Sequence, residues 1–166
     1  MAERTPDHVD GILAQWRLER PDLDVSPMGL LGRLQRAAHL ADAALAATLV
    51  QHDLQSGWFD LLAALRRAGA PYELNPTHLM RATMLSSGDM TKRLDRLTDA
   101  GLVERRPDPA DRRGTLIRLT RRGKATIDKA VEAHVAGEAR LLRSLTADDR
   151  RDLDHLLRTL LASLER

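Results

Sequence analysis

Two neighbouring stretches decide how this chain folds. The first is Ser86-Ser87-Gly88-Asp89-Met90-Thr91-Lys92-Arg93-Leu94-Asp95-Arg96-Leu97. The second is Arg105-Arg106-Pro107-Asp108-Pro109-Ala110-Asp111-Arg112-Arg113-Gly114. Ser86 and Ser87 are cap residues for a helix that stops at Gly101. At about 100° per residue, Met90, Leu94 and Leu97 fall in one narrow arc, a stripe to be buried. Gly88, Lys92, Asp95 and Asp99 point the other way, with Arg96 beside them. Arg93 sits at the stripe's edge, from where it can turn inward. One packing face and one polar face are what a helix needs to enter a major groove. Leu102 to Arg106 and Thr115 to Leu119 then read as strands, and the two prolines and glycine between them as a long hairpin tip. Arg112 and Arg113 at that tip suit phosphates or a minor groove. The expected DNA contacts are Ser87, Gly88, Thr91, Lys92, Arg96, Arg112 and Arg113. The competing reading is a solvated surface helix beside a solvated basic run, and Asp89, Asp95 and Asp99 oppose phosphates. The basic hairpin placed directly after the helix favours DNA.

Working outward, residues 5–19 form an extra N-terminal helix with Val9, Ile12, Leu13 and Trp16 on one face. Residues 26–52 form a long helix opened by Ser26-Pro27 and striped by Leu31, Leu34, Ala38, Ala41, Leu45 and Leu49. A central helix, residues 56–68, reads Trp58-Phe59-Asp60-Leu61-Leu62-Ala63-Ala64-Leu65 and ends at Gly69. Pro76 opens a short helix to Thr83. Past the hairpin, Ile127, Val131, Val135, Leu142 and Leu145 mark one helix. Thr146 and Asp149 cap the next, whose face carries Leu153, Leu156, Leu157, Leu160, Leu161 and Leu164. The expectation is a mainly α fold in one domain, residues 1–166. Within it residues 55–120 form a winged helix-turn-helix, flanked by the helices of 26–52 and 121–166. Those flanking leucine faces are too long for a small monomer to cover, which predicts a homodimer.

The composition agrees. The chain has 166 residues, no cysteine and four aromatic residues, so disulfides, thiolate metal sites and thiol redox switches are excluded. Net charge is +2, but residues 81–122 carry 11 Lys/Arg against 6 Asp/Glu, and the remainder is mildly acidic. A basic segment of this kind points to nucleic acid. No run is apolar enough to span a membrane and no signal peptide is visible, so a cytoplasmic protein is expected. The six histidines are scattered, with no H-E-x-x-H, and there is no G-x-S-x-G or Gly-rich phosphate loop. Asp108 and Asp111 suit a turn better than catalysis. Neither an enzyme nor a cofactor or metal site is expected.

The segment 86–97, Gly101-Leu102-Val103, Arg106-Pro107-Asp108-Pro109, Asp111-Arg112-Arg113 and Leu119-Thr120 with Gly123 together resemble the MarR family of bacterial regulators. The resemblance extends over almost the whole chain. It implies a homodimer on a pseudo-palindromic operator in double-stranded DNA, usually acting as a repressor, with the flanking helices as dimerisation helices. Within the family the chain is similar to the urate-responsive, HucR/PecS-like subgroup, with its extra tryptophan-bearing helix. That implies a ligand site of Trp16, Asp60, Arg93 and Arg105. A planar anion such as urate could stack on an indole, pair with a guanidinium fork and donate N–H to a carboxylate. Phenolic compounds, xanthine-like purines and small carboxylates suit the same groups. The plainer alternative is a structural ion pair of Asp60 with an arginine, in a regulator or architectural protein that needs no ligand. A helical interaction module that never meets DNA is a third. Trp58 stands where the subgroup has a small or acidic residue, and Asp89 where a small residue is common.

Overall fold

A computed structural model describes residues 5–83 and 90–166, without the side chains of Arg112 and Arg113. Contacts cluster into two units, Met1–Ala44 and Leu45–Arg166.

The first unit holds α1 (His8–Glu19) and most of α2 (Ser26–Val50). The start of α1 is set by Asp7, which accepts from the N–H groups of Val9 and Asp10, while Asp10 accepts from the Asp7 N–H. This reciprocal box satisfies donors that a helix start leaves orphaned. It places the start three residues later than the sequence pattern suggested. Val9, Leu13 and Val25 form a small buried cluster. Leu13 lies against Gly29 and Val9 against Gly32, so two glycines one turn apart on α2 admit α1 closely. Arg33 of α2 then forks onto Asp7 (2.7 Å) and Asp10 (2.6 Å). That fork holds the Asp7 carboxyl down at about 2.

The second unit continues from the end of α2 through α3 (Ser56–Arg67), β1 (Glu73–Leu74), α4 (Pro76–Arg81), α5 (Met90–Asp99), β2 (Val103–Asp108), β3 (Asp111–Leu119), α6 (Arg121–Leu141) and α7 (Ala147–Leu164). The expected central helix is α3: Phe59, Leu61, Leu62, Ala64 and Leu65 are buried, around a core shared with Leu79, Leu94, Leu97, Val103, Ile117 and Ile127. Its first-turn Gly57 is buried as well. Asp60, by contrast, is only half-buried. Among the described residues no charged side chain is fully buried. Arg66 of α3 and Lys124 of α6 both bind Asp128, at 2.6 and 2.7 Å. These two hydrogen bonds, Lys124's first, lower the Asp128 pKa, and both cations lie over the Tyr72 ring.

The sheet has the order β1-β3-β2, antiparallel throughout. Two features differ from the sequence reading. The two-residue β1, too short to leave a pattern, pairs Glu73 with Arg118 and Leu74 with Ile117. The hairpin tip is also shorter than expected, because pairing continues through Pro107↔Thr115 to Asp108↔Asp111. Proline lacks an N–H, but β2 is an edge strand and tolerates it.

The sheet leads into α6 through a tight knot. Thr120 caps α6 by accepting from the Gly123 N–H, and its hydroxyl donates to Gly101 O at 2.8 Å. A Cβ on Gly123 would overlap the Leu102 carbonyl, so only glycine lets α6 start this close to the wing. A 3-10 turn, Leu142–Ser144, separates α6 from α7. Leu142 and Leu145 therefore do not continue α6 as the sequence suggested. The Thr146 box with Asp149 that starts α7 is as expected.

Candidate nucleic-acid interface and ligand pocket

On α5, Met90, Leu94 and Leu97 are buried, while Thr91, Lys92, Asp95, Arg96 and Asp99 are exposed. The helix ends in a left-handed Gly101 (φ 66°). Leu102 N–H bonds to Leu97 O at 3.0 Å and Gly101 N–H to Thr98 O at 2.8 Å. This is the glycine stop that satisfies late carbonyls and needs no Cβ. Arg122 of α6 donates to Ala100 O at 3.2 Å, a cation at the helix's negative end. The C-terminal end of α5 is thereby clamped between the wing and α6, and its polar face stays outward. Of the expected DNA contacts, Thr91, Lys92 and Arg96 lie on that exposed face. Ser87 and Gly88 fall outside the described residues. Arg112 and Arg113 stand on β3 near the hairpin turn, their side chains undescribed.

The expected ligand residues of the second unit divide between two clefts. Asp60 and Arg93 line one recess of about 590 Å³, together with Gln55, Ser56, Gly57, Trp58, Lys92 and Arg96. Arg93 does turn inward: a Cβ added at Gly57 would overlap its guanidinium, so the arginine is seated on the bare first turn of α3. Gln55 gives that helix start no side-chain cap, so the positive end of α3 adds to the three cations at the recess. Against them stands the Asp60 carboxylate. Arg105 is not in this recess. It lines a different cleft with Pro76, Thr91 and Thr115, and its Nη2 donates to Asp95 Oδ1 at 2.7 Å. Trp16 lies on α1 in the first unit and is 41% exposed.

Sequence reasoning missed the seat at Gly57, because a glycine at a helix start reads only as a turn. It also missed that Lys92 and Arg96 border the recess, since spacing does not say which elements meet. Among the described residues there is no cluster of histidines and carboxylates able to hold a metal. No helix among them is long and apolar enough to cross a membrane.

The MarR family model matches residues 52–114. The HTH-type transcriptional regulator PecS of Dickeya dadantii (strain 3937) is 43% identical over 149 residues, 90% of each chain. The chain belongs to the MarR family. It is a DNA-binding transcriptional regulator and not an enzyme. Among solved structures, a mutant of MarR from Escherichia coli in complex with operator DNA is 30% identical, with TM-score 0.72, covering 82% of this chain and 95% of that one. The Bordetella bronchiseptica regulator BpsR, whose DNA binding is regulated by 6-hydroxynicotinic acid, is 26% identical with TM-score 0.69, covering 79% of this chain and 97% of that one. In this MarR-family regulator α5 is the recognition helix and the β2–β3 hairpin the wing.

Proposed function

We propose that this regulator is a cytoplasmic homodimeric repressor that binds a pseudo-palindromic operator and is released by a small planar anion such as urate. One observation carries the ligand half of this reading. Three cations of the recognition helix, Lys92, Arg93 and Arg96, border the same recess as Asp60 and the start of α3. An anion there meets guanidinium forks, and Asp60 can accept an N–H or O–H from it. The regulation of BpsR by an aromatic carboxylate supports the same ligand class.

The mechanism follows from where Arg93 is anchored. It belongs to the recognition helix, yet its guanidinium rests on Gly57 of α3. A ligand that recruits Arg93 shifts the balance of positions open to α5. If the shifted helix fits the groove less well, ligand and operator weaken each other by the same factor. Lys92 and Arg96 add direct competition, since they cannot serve phosphate and ligand equally well at once.

The dimer half rests on α7, in which no residue is buried, with Leu156 63% and Leu164 72% exposed. Covering such a face against a second copy sets two recognition helices about one DNA turn apart.

Isothermal titration calorimetry with urate and with 6-hydroxynicotinate tests the site. The expected result is one saturable site per protomer for at least one of them, weakened about tenfold or more in Arg93→Ala and Asp60→Asn. Binding that is indifferent to both substitutions would place the ligand elsewhere. No binding of either compound would leave a regulator without this kind of effector.

A further inference from the structure

Asp95 poses a problem for a DNA-reading helix: its carboxylate stands on the exposed face of α5, where phosphates must approach. The structure answers it with an arginine from the wing. Arg105 Nη2 lies 2.7 Å from Asp95 Oδ1, and both side chains are about half exposed, at 43% and 52%. Arg105 sits on β2 opposite Ile117. The cleft it lines includes Thr91 and Leu94, so its side chain runs along α5 beneath the turn that carries Asp95.

An isolated carboxylate within a Debye length of about 8 Å from a phosphate repels it. Paired with a guanidinium, the same carboxylate presents a short dipole whose field decays faster. We infer that Arg105 is a positioning residue for DNA binding, acting through Asp95: it cancels the acid's charge on the recognition helix and ties the wing strand to that helix. Exposed ion pairs contribute little to folding, so the pair can be broken without unfolding the protein. The inference rests on DNA binding alone and is independent of any effector.

The test is a double-mutant cycle on operator affinity, with Asp95→Asn, Arg105→Met and the double variant. The probe is a duplex selected from a randomised pool by the wild-type protein. Affinity is read by fluorescence anisotropy at several salt concentrations, and the thermal midpoint of each variant is recorded. Arg105→Met should weaken binding about three- to tenfold, the scale of an uncompensated charge at an interface rim. In the Asp95→Asn background the same change should cost less than about twofold, so that the cycle shows clear coupling. The loss in Arg105→Met should shrink as salt screens the bare carboxylate, and the thermal midpoints should stay together. Equal losses in both backgrounds, with the salt slope reduced by about one in each, would show Arg105 bound to a phosphate and overturn the inference. So would an Arg105→Met variant that binds as wild type does.

Discussion

The smallest feature with a large consequence is the missing side chain at Gly57. Its bare α-carbon seats the Arg93 guanidinium at the start of α3. Gly57→Ala fills that seat while replacing glycine with a better helix former. The variant should melt no lower than wild type, yet bind urate or a related planar anion about tenfold more weakly, as a displaced charge-assisted contact implies. Calorimetry and a thermal melt on the same sample separate the two effects; a melt that falls together with the affinity would mean Gly57 matters for packing instead. At this scale the sequence revealed residue types but not partners. Arg93 at the edge of an apolar stripe announced that it could turn inward, and it does. Arg105, by contrast, is a strand residue whose direction depends on hairpin register, and that register places it against Asp95.

At the scale of elements, helices were readable because their signals are local and redundant. The Thr146 box and the stop at Gly101 were read directly, each written within four residues of the boundary it sets, whereas the caps at Asp7, Asn75 and Thr120 were not singled out. The sheet was less readable. Strand β1 is two residues long and exists only because β3 lies beside it. The shortened hairpin tip depends on β2 being an edge, which no local pattern states. The cap of α1 also carries a pH dependence. Hydrogen bonds from Arg33, above all, and from the Asp10 and Val9 N–H groups pull the Asp7 carboxyl from 3.8 to about 2. A carboxylate with a depressed folded pKa stabilises above its unfolded value and loses that contribution as pH falls through the folded one. The gap in thermal midpoint between wild type and Asp7→Asn should therefore be full at pH 5 and shrink between about pH 4 and pH 2. A gap that is constant over this range would mean that the Arg33 fork does not hold Asp7 in solution.

For the whole molecule, the exposed leucines of α7 (Leu153, Leu156, Leu161 and Leu164) are an unmet demand of a single chain. Exposed leucines scattered singly need no explanation, but a helix with no buried residue at all does. Leu156→Glu should produce a monomer in sedimentation velocity. Losing one of two half-site contacts should also lower operator affinity on the order of a hundredfold. An intact dimer with unchanged affinity would move the interface off α7. The proposed competition between a small anion and the operator through the recognition helix joins all three scales. Its most direct test is anisotropy of a labelled operator duplex, titrated with wild type and with Arg93→Ala, with and without saturating urate at fixed salt. Urate should weaken the wild-type complex by about five- to 150-fold, the usual range of such couplings, and the Arg93→Ala complex by much less. Urate release that is equally strong in Arg93→Ala, or a wild-type complex untouched by both urate and 6-hydroxynicotinate, would contradict it.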